Sequence, residues 1–270
     1  MFEVSHQTVS MVAAYLAAFL GLSLGLRCVV RSVYHRQGWR PGWLALGAAS
    51  TGCGIWMMHV IALMAFPAPP GAVITFDTDR MVLSLVIAVA VIAVGLFIVG
   101  YRGVGRVSLS VAGTICGLGL ATMPYLGVGA MHVNGTVYYE PFLVVLSVVI
   151  AIMAATAALW AAVSIRGFLS SLATGLFMAA AAAGMHFTAI SSVGIHVHKS
   201  LLPGPGQPAL AMISLLIGPG MFLLLATGII IFDPLLILGE DDWDRTAART
   251  SPRAGTRTLF RPDLRSRSRR

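Results

Sequence analysis

Charge is what this 270-residue sequence has least of: Asp, Glu, Lys and Arg together make up 10% of it. A soluble globular domain carries about 25%. With 57% hydrophobic residues and a mean hydropathy of +0.87, there is too little polar surface to face water. An ordinary cytosolic enzyme and a disordered chain are both excluded on that ground. Cysteine is nearly missing too. Cys28, Cys53 and Cys116 form no C-x-x-C pair, which excludes a disulfide scaffold and leaves each as a small apolar residue. There is no Walker loop, no pair of catalytic carboxylates and no supported nucleophile–base arrangement, so no enzyme is expected. Residues 1–8 lack a basic run, and no A-x-A site follows the first apolar stretch, so no cleaved signal peptide is expected.

What is present is a series of long charge-free runs: 4–26, 41–76, 81–101, 107–139, 141–165, 167–198 and 200–232. Each exceeds the roughly 20 residues that a helix needs to cross a bilayer. They predict seven spanning helices near 9–30, 43–66, 81–101, 107–131, 142–165, 169–193 and 209–232. Helix is favoured over barrel because two-residue alternation is missing. Arginine sets the orientation. Arg27, Arg31, Arg36 and Arg40 surround the first loop, Arg102 and Arg106 flank the third, and Arg166 marks the fifth. The alternate loops hold only Arg80 and Lys199 as bases, which predicts an outer N-terminus and a cytoplasmic C-terminus.

The net charge of +8 has a single address. From Arg245 onward there are nine arginines and one acid, while the remaining 244 residues carry nine bases and nine acids. Pro252, Gly255 and Pro262 argue against a continuous helix there. The tail is read as a disordered topology anchor, with anionic lipid head groups as its sharper partner reading. Without aromatic interleaving or a folded module, nucleic acid is not expected as a partner.

The spans repeat with a period of about 63 residues. Phe76-Asp77 matches Tyr139-Glu140, and the run from Leu83-Ser84 matches that from Leu146-Ser147. Gly52-x-Gly54 precedes Met58-His59 as Gly117-x-Gly119 precedes Met123-Pro124 and Ala179-x-Ala181 precedes Met185-His186. Three helix pairs followed by a seventh helix account for this pattern. The small residues are expected to serve helix packing.

Among seven histidines, His59 and His186 stand out. An ionisable residue inside a span is a functional-site hypothesis by default, and these two lie at matching depth, about 10 Å from the outer helix ends. Each follows a methionine. Imidazole with thioether favours copper, Cu(I) above all, over magnesium or calcium. The plainer alternative is a neutral histidine satisfied by neighbours such as Thr188 and Ser191. Methionines also fill apolar cores, but Met58, Met123 and Met185 gather in the outer halves of helices two, four and six. His35 reads as a solvated loop residue, and His196-x-His198 as incidental.

These segments resemble the MHYT family of bacterial integral membrane sensor proteins. The resembling stretches are Gly54-Ile55-Trp56-Met57-Met58-His59-Val60, Met123-Pro124-Tyr125-Leu126-Gly127 and Gly184-Met185-His186-Phe187-Thr188-Ala189. The likeness covers roughly residues 8–238. It implies motifs near the outer face that bind copper and sense a diatomic gas such as oxygen, carbon monoxide or nitric oxide. In many members a cytoplasmic signalling domain follows the seventh helix. Here only the Arg-rich tail follows, so a separate signalling partner is expected. The second motif departs from the pattern: Pro124 stands where the family has histidine, and His132 is the candidate substitute. Val60 replaces the aromatic of the first motif, and Ala62 and Ala189 stand where glycine is usual.

Residues and resemblance together predict an all-α, polytopic bundle of seven transmembrane helices in the bacterial inner membrane. Its expected regions are an outer N-terminus (1–8), the membrane domain (9–238) and the tail (239–270). The expected function is a sensory module whose copper ligands are His59 and His186, with Met58, Met123, Met185 and His132 as further ligands. Two readings from other classes stay open. One is a small-solute or ion transporter, for which the glycine-rich spans and Pro124 offer a broken helix, though no span holds an acidic residue to couple ions. The other is a degenerate scaffold that binds no metal.

Overall fold

The computed structural model describes residues 2–34, 40–66, 69–70, 72–165, 168–198 and 206–231. The Arg-rich tail, His35, Arg36, Arg166 and Lys199 lie outside the described residues. Seven helices follow in order: α1 (Phe2–Tyr34), α2 (Arg40–Met64), α3 (Thr78–Arg102), α4 (Arg106–Gly129), α5 (Pro141–Ser164), α6 (Phe168–Ser191) and α7 (Ile213–Ile231). All seven are long and apolar enough to cross a membrane, the last together with the 3₁₀ turn Ala209–Met212 that leads into it. Large apolar side chains such as Phe142 (70% exposed) cover the outside, while Ser50, Ser84, Ser147, His59 and His186 are buried. That inversion suits a bundle whose solvent is lipid.

Helices α1 to α6 form a closed ring. Each packs against the next, α6 returns to α1, and α2, α4 and α6 also touch one another. Helix α7 stands outside the ring, against α2 and α1. Glycine permits the closest approaches. A Cβ on Gly54 would collide with the Gly21 backbone of α1, and one on Gly117 with the Ile152 backbone of α5.

The repeated Asp/Glu proves to be a helix cap. Asp77 accepts hydrogen bonds from the Asp79 and Arg80 N–H groups at the start of α3. Glu140 accepts from Phe142 and Leu143 at the start of α5. Each satisfies donors that the first helical turn leaves free. The same two residues donate their own N–H to the far end of the next helix, Asp77 to Ala130 and Glu140 to Ser192. One residue thus starts an odd-numbered helix and ties it to the end of the even-numbered helix that follows.

The expected helix ends shift by a few residues, and for a reason. Helix α4 stops at Gly129 and α6 at Ser191, before the expected 131 and 193, because the chain beyond them continues at once as strands; α2 stops at Met64 where 66 is expected. Strand β1 (Ile74–Phe76) pairs antiparallel with β2 (Met131–Val133) and with β5 (Gln207–Pro208). Strand β3 (Gly135–Tyr139) pairs with β4 (Val193–Val197). The charge-free runs predict helices alone, and these strands are additions to that picture. These two small sheets join the loops that follow α2, α4 and α6, and so hold one end of the ring together.

Candidate functional site

His59 comes from α2 and His186 from α6, one residue beyond Met58 and Met185 in equivalent positions of the repeat. Because α2 and α6 meet inside the ring, the two imidazoles face each other. Their Nδ1 atoms are 3.4 Å apart, and the rings stand edge to face with centroids 5.0 Å apart and planes at 81°. Each residue is 1% exposed. Neither Nε2 has a hydrogen-bond partner among the described residues.

This geometry constrains the protons. An Nδ1–H···Nδ1 bond needs one donor and one acceptor, so two doubly protonated rings cannot form it. In the neutral pair the donor ring has a bare Nε2, and the acceptor ring carries its proton on Nε2. One outer nitrogen is then a lone pair and the other an N–H. Burying both without partners costs about 1–3 kcal/mol each.

Helix α4 supplies the third side of the site. Its Gly127 lies so close to His59 that a Cβ there would strike Nε2 and Cε1 of the ring. Pro124 is buried one turn earlier within α4, which runs unbroken from Arg106 to Gly129. The third corner of the repeat therefore offers bare backbone where α2 and α6 offer imidazoles.

Met58 and Met123 are buried in the main core with Phe76 and Met81. Met185 packs instead in a small cluster with Ala121 and Ala151, on the α4–α5 side. Adjacent positions on a helix differ by about 100°, so His186 and Met185 serve different neighbours. His132 is not on α4. It sits in β2, opposite Thr75 of β1. Thr188 does not serve His186 either, since its hydroxyl donates to the Gly184 carbonyl. His196 and His198 lie exposed on or just after β4, where His196 stacks on Tyr138 and His198 meets the Thr136 hydroxyl. The described residues hold no cluster of three or more His, Cys, Asp or Glu side chains.

Two polar supports beside the site escaped the sequence reading. Trp56, three residues before His59, donates its indole N–H to the Ser84 hydroxyl at 2.9 Å and to the Met81 carbonyl at 3.2 Å. Tyr125, next to Pro124, shares a 2.8 Å hydrogen bond with the Ser147 hydroxyl. Ser84 and Ser147 are the serines of the repeated Leu-Ser pair, and that repetition was the available signal. Each fixes a polar aromatic of the preceding even-numbered helix. Outside the spans, Tyr139 has its phenol pKa raised, first by burial and then by Tyr125.

Comparison with known proteins places these features. A family model described as "Bacterial signalling protein N terminal repeat", MHYT, matches residues 52–112 and 117–175. Each matched unit starts at the small-residue motif of an even-numbered helix and runs past the next odd-numbered one. The chain is 38% identical over 158 residues to the cyclic di-GMP phosphodiesterase NbdA of Pseudomonas aeruginosa, a match covering 56% of this chain and 20% of that protein. It is 33% identical over 153 residues to the bifunctional diguanylate cyclase/cyclic di-GMP phosphodiesterase MucR of the same organism, covering 54% and 22%. An uncharacterized signaling protein of Caulobacter vibrioides is 31% identical over 158 residues, covering 58% and 19%. The chain thus spans about a fifth of the length of the curated relatives it matches. No solved structure matches it. Two matched repeats and seven membrane-crossing helices lead to one assignment: the chain carries the MHYT repeat of bacterial signalling proteins within a multi-pass membrane module.

Proposed function

We propose that this membrane signalling module detects its stimulus at a copper ion held by His59 and His186. The observation carrying this reading is the facing pair of buried imidazoles from two repeats, 3.4 Å apart at Nδ1. The donor set fits such an ion. Two nitrogens on bonds of about 2.0–2.1 Å span about 3.3–3.4 Å along a tetrahedral edge. No carboxylate joins the pair among the described residues, which disfavours a hard cation, while imidazole suits copper. When bound, the ion supplies coordination positions for a diatomic gas or a redox change. The protein's own contribution is two buried imidazoles on separate helices.

A change in the spacing of His59 and His186 is a change in the spacing of α2 and α6. The sheets joining the even-helix loops, and α7 against α2, give that movement its path out of the site. In our reading the sheet-bearing end faces outward and the tail is cytoplasmic. The output is cyclic di-GMP turnover, by analogy with the names of the relatives, reached through a signalling partner.

Metal analysis of detergent-purified protein tests the proposal. Copper in the wild type that disappears in His59→Ala/His186→Ala supports it. Copper that persists in the double variant but disappears in His196→Ala/His198→Ala moves the site to β4. A wild type free of copper after loading under both reducing and oxidising conditions leaves a scaffold without metal, the outcome that Pro124 favours.

A further inference from the structure

A recess opens between the first turns of α1 and the last turns of α2 and α6. Its volume is about 280 Å³, room for several water molecules at about 30 Å³ each. Met11 of α1, Ala62 and Phe66 at the end of α2, and His186, Phe187 and Ile190 of α6 line it. Met11 is 45% exposed and His186 1% exposed, so one recess joins an exposed methionine to a buried imidazole. Met11 lies outside every repeated motif, and neither the histidine pair nor the ring packing accounts for it.

We propose that this recess is the path by which a soft monovalent cation reaches His186, with the Met11 thioether as its first donor. The proposal rests on the reading of His59 and His186 as a metal pair. Among the described residues no Asp, Glu, Lys or Arg lines the recess; besides His186, Ser191 contributes a polar side chain. A hard cation entering it would lose hydration with no carboxylate among the described residues to replace it. Cu(I) is held by soft thioether and imidazole donors, which are the donors found at the two ends of this path. Ala62 keeps the passage wide. It lies three residues after His59, on the same side of α2, so a large side chain there would close the route beside the pair.

The test uses the full chain in detergent and Cu(I) delivered from a chromophoric chelator. Stopped-flow absorbance gives the loading rate, and elemental analysis gives the final content. Met11→Leu keeps the volume and removes the sulfur; Ala62→Phe plugs the recess. Each is expected to reach the wild-type copper content about tenfold more slowly, the equivalent of about 1.4 kcal/mol in the barrier. Wild-type loading rates in both variants overturn the path. So does a Met11→Leu protein that loses its copper as fully as His186→Ala, because Met11 would then be a resident ligand. A wild type that takes up no Cu(I) overturns the metal reading itself, and the path with it. Met11→Leu keeps the test decisive if Ala62→Phe does not fold.

Discussion

Gly127→Ala is the sharpest single perturbation of the histidine pair. The added Cβ would meet Nε2 and Cε1 of His59, and Leu63 Cδ1 at 2.6 Å. Such contacts do not survive in real structures, so the imidazole or α4 must move. His59 is fully buried against α6, so ring movement breaks the Nδ1 contact to His186. Overpacking a filled interior costs about 1–3 kcal/mol, and the lost hydrogen bond about 0.5–1.5 kcal/mol more. Gly184→Ala is the matched control. A Cβ there meets nothing within 4 Å, although the site lies two residues from His186. Its helix propensity alone should stabilise by up to about 1 kcal/mol. Unfolding in mixed dodecylmaltoside–SDS micelles, followed by tryptophan fluorescence, reads both variants, since Trp56 lies one turn from His59. The propensity gain is common to both variants, so the expected gap between them is about 1.5–4.5 kcal/mol. Equal stability would refute the claim that α4 rests directly on His59.

Further predictions follow from the same contacts. Pro124→His places an imidazole at the repeat position equivalent to His59 and His186, and nitrogen counts from X-ray absorption of the copper-loaded variant should rise by one. Ser147→Ala removes the partner of the Tyr125 hydroxyl and should cost about 0.5–1.5 kcal/mol in the micelle assay, leaving copper content unchanged. Glu140→Ala removes the cap of α5 and should cost about 0.5–2 kcal/mol, with faster hydrogen exchange at the Phe142 and Leu143 amides.

Much of the fold was legible because the bilayer imposes a simple rule. A run such as 81–101, free of charge and longer than the hydrocarbon core is thick, can only be a span, and the structure places α3 there. The matching depth of His59 and His186 was equally legible, since copies two helices apart share one topology. Their contact was not. It joins residues 127 positions apart and depends on α6 closing the ring against α1 and α2. A lipid-facing bundle also lacks the polar stripe that would reveal which way each helix is turned. For that reason Met185 was grouped with the site, although the structure turns it toward α4 and α5. Strands β1 to β5 escaped notice because they are two to five residues long and pair only across loops distant in sequence. His132 is the expected substitute for the second-motif histidine, but α4 ends at Gly129 and the chain is already in β2 at His132. Nothing in the sequence sets Gly127 apart from the other glycines of the spans. Only the opposing ring shows why nothing larger fits.

The central claim is that two imidazoles from different repeats hold one soft ion. X-ray absorption on the Cu(I)-loaded protein, wild type beside His59→Ala/His186→Ala, tests it most directly. The account predicts two imidazole nitrogens at about 2.0 Å in the wild type. It predicts that their multiple-scattering signal is lost in the double variant. The same imidazole signal in both proteins, or a wild-type spectrum with sulfur ligands alone, would contradict it.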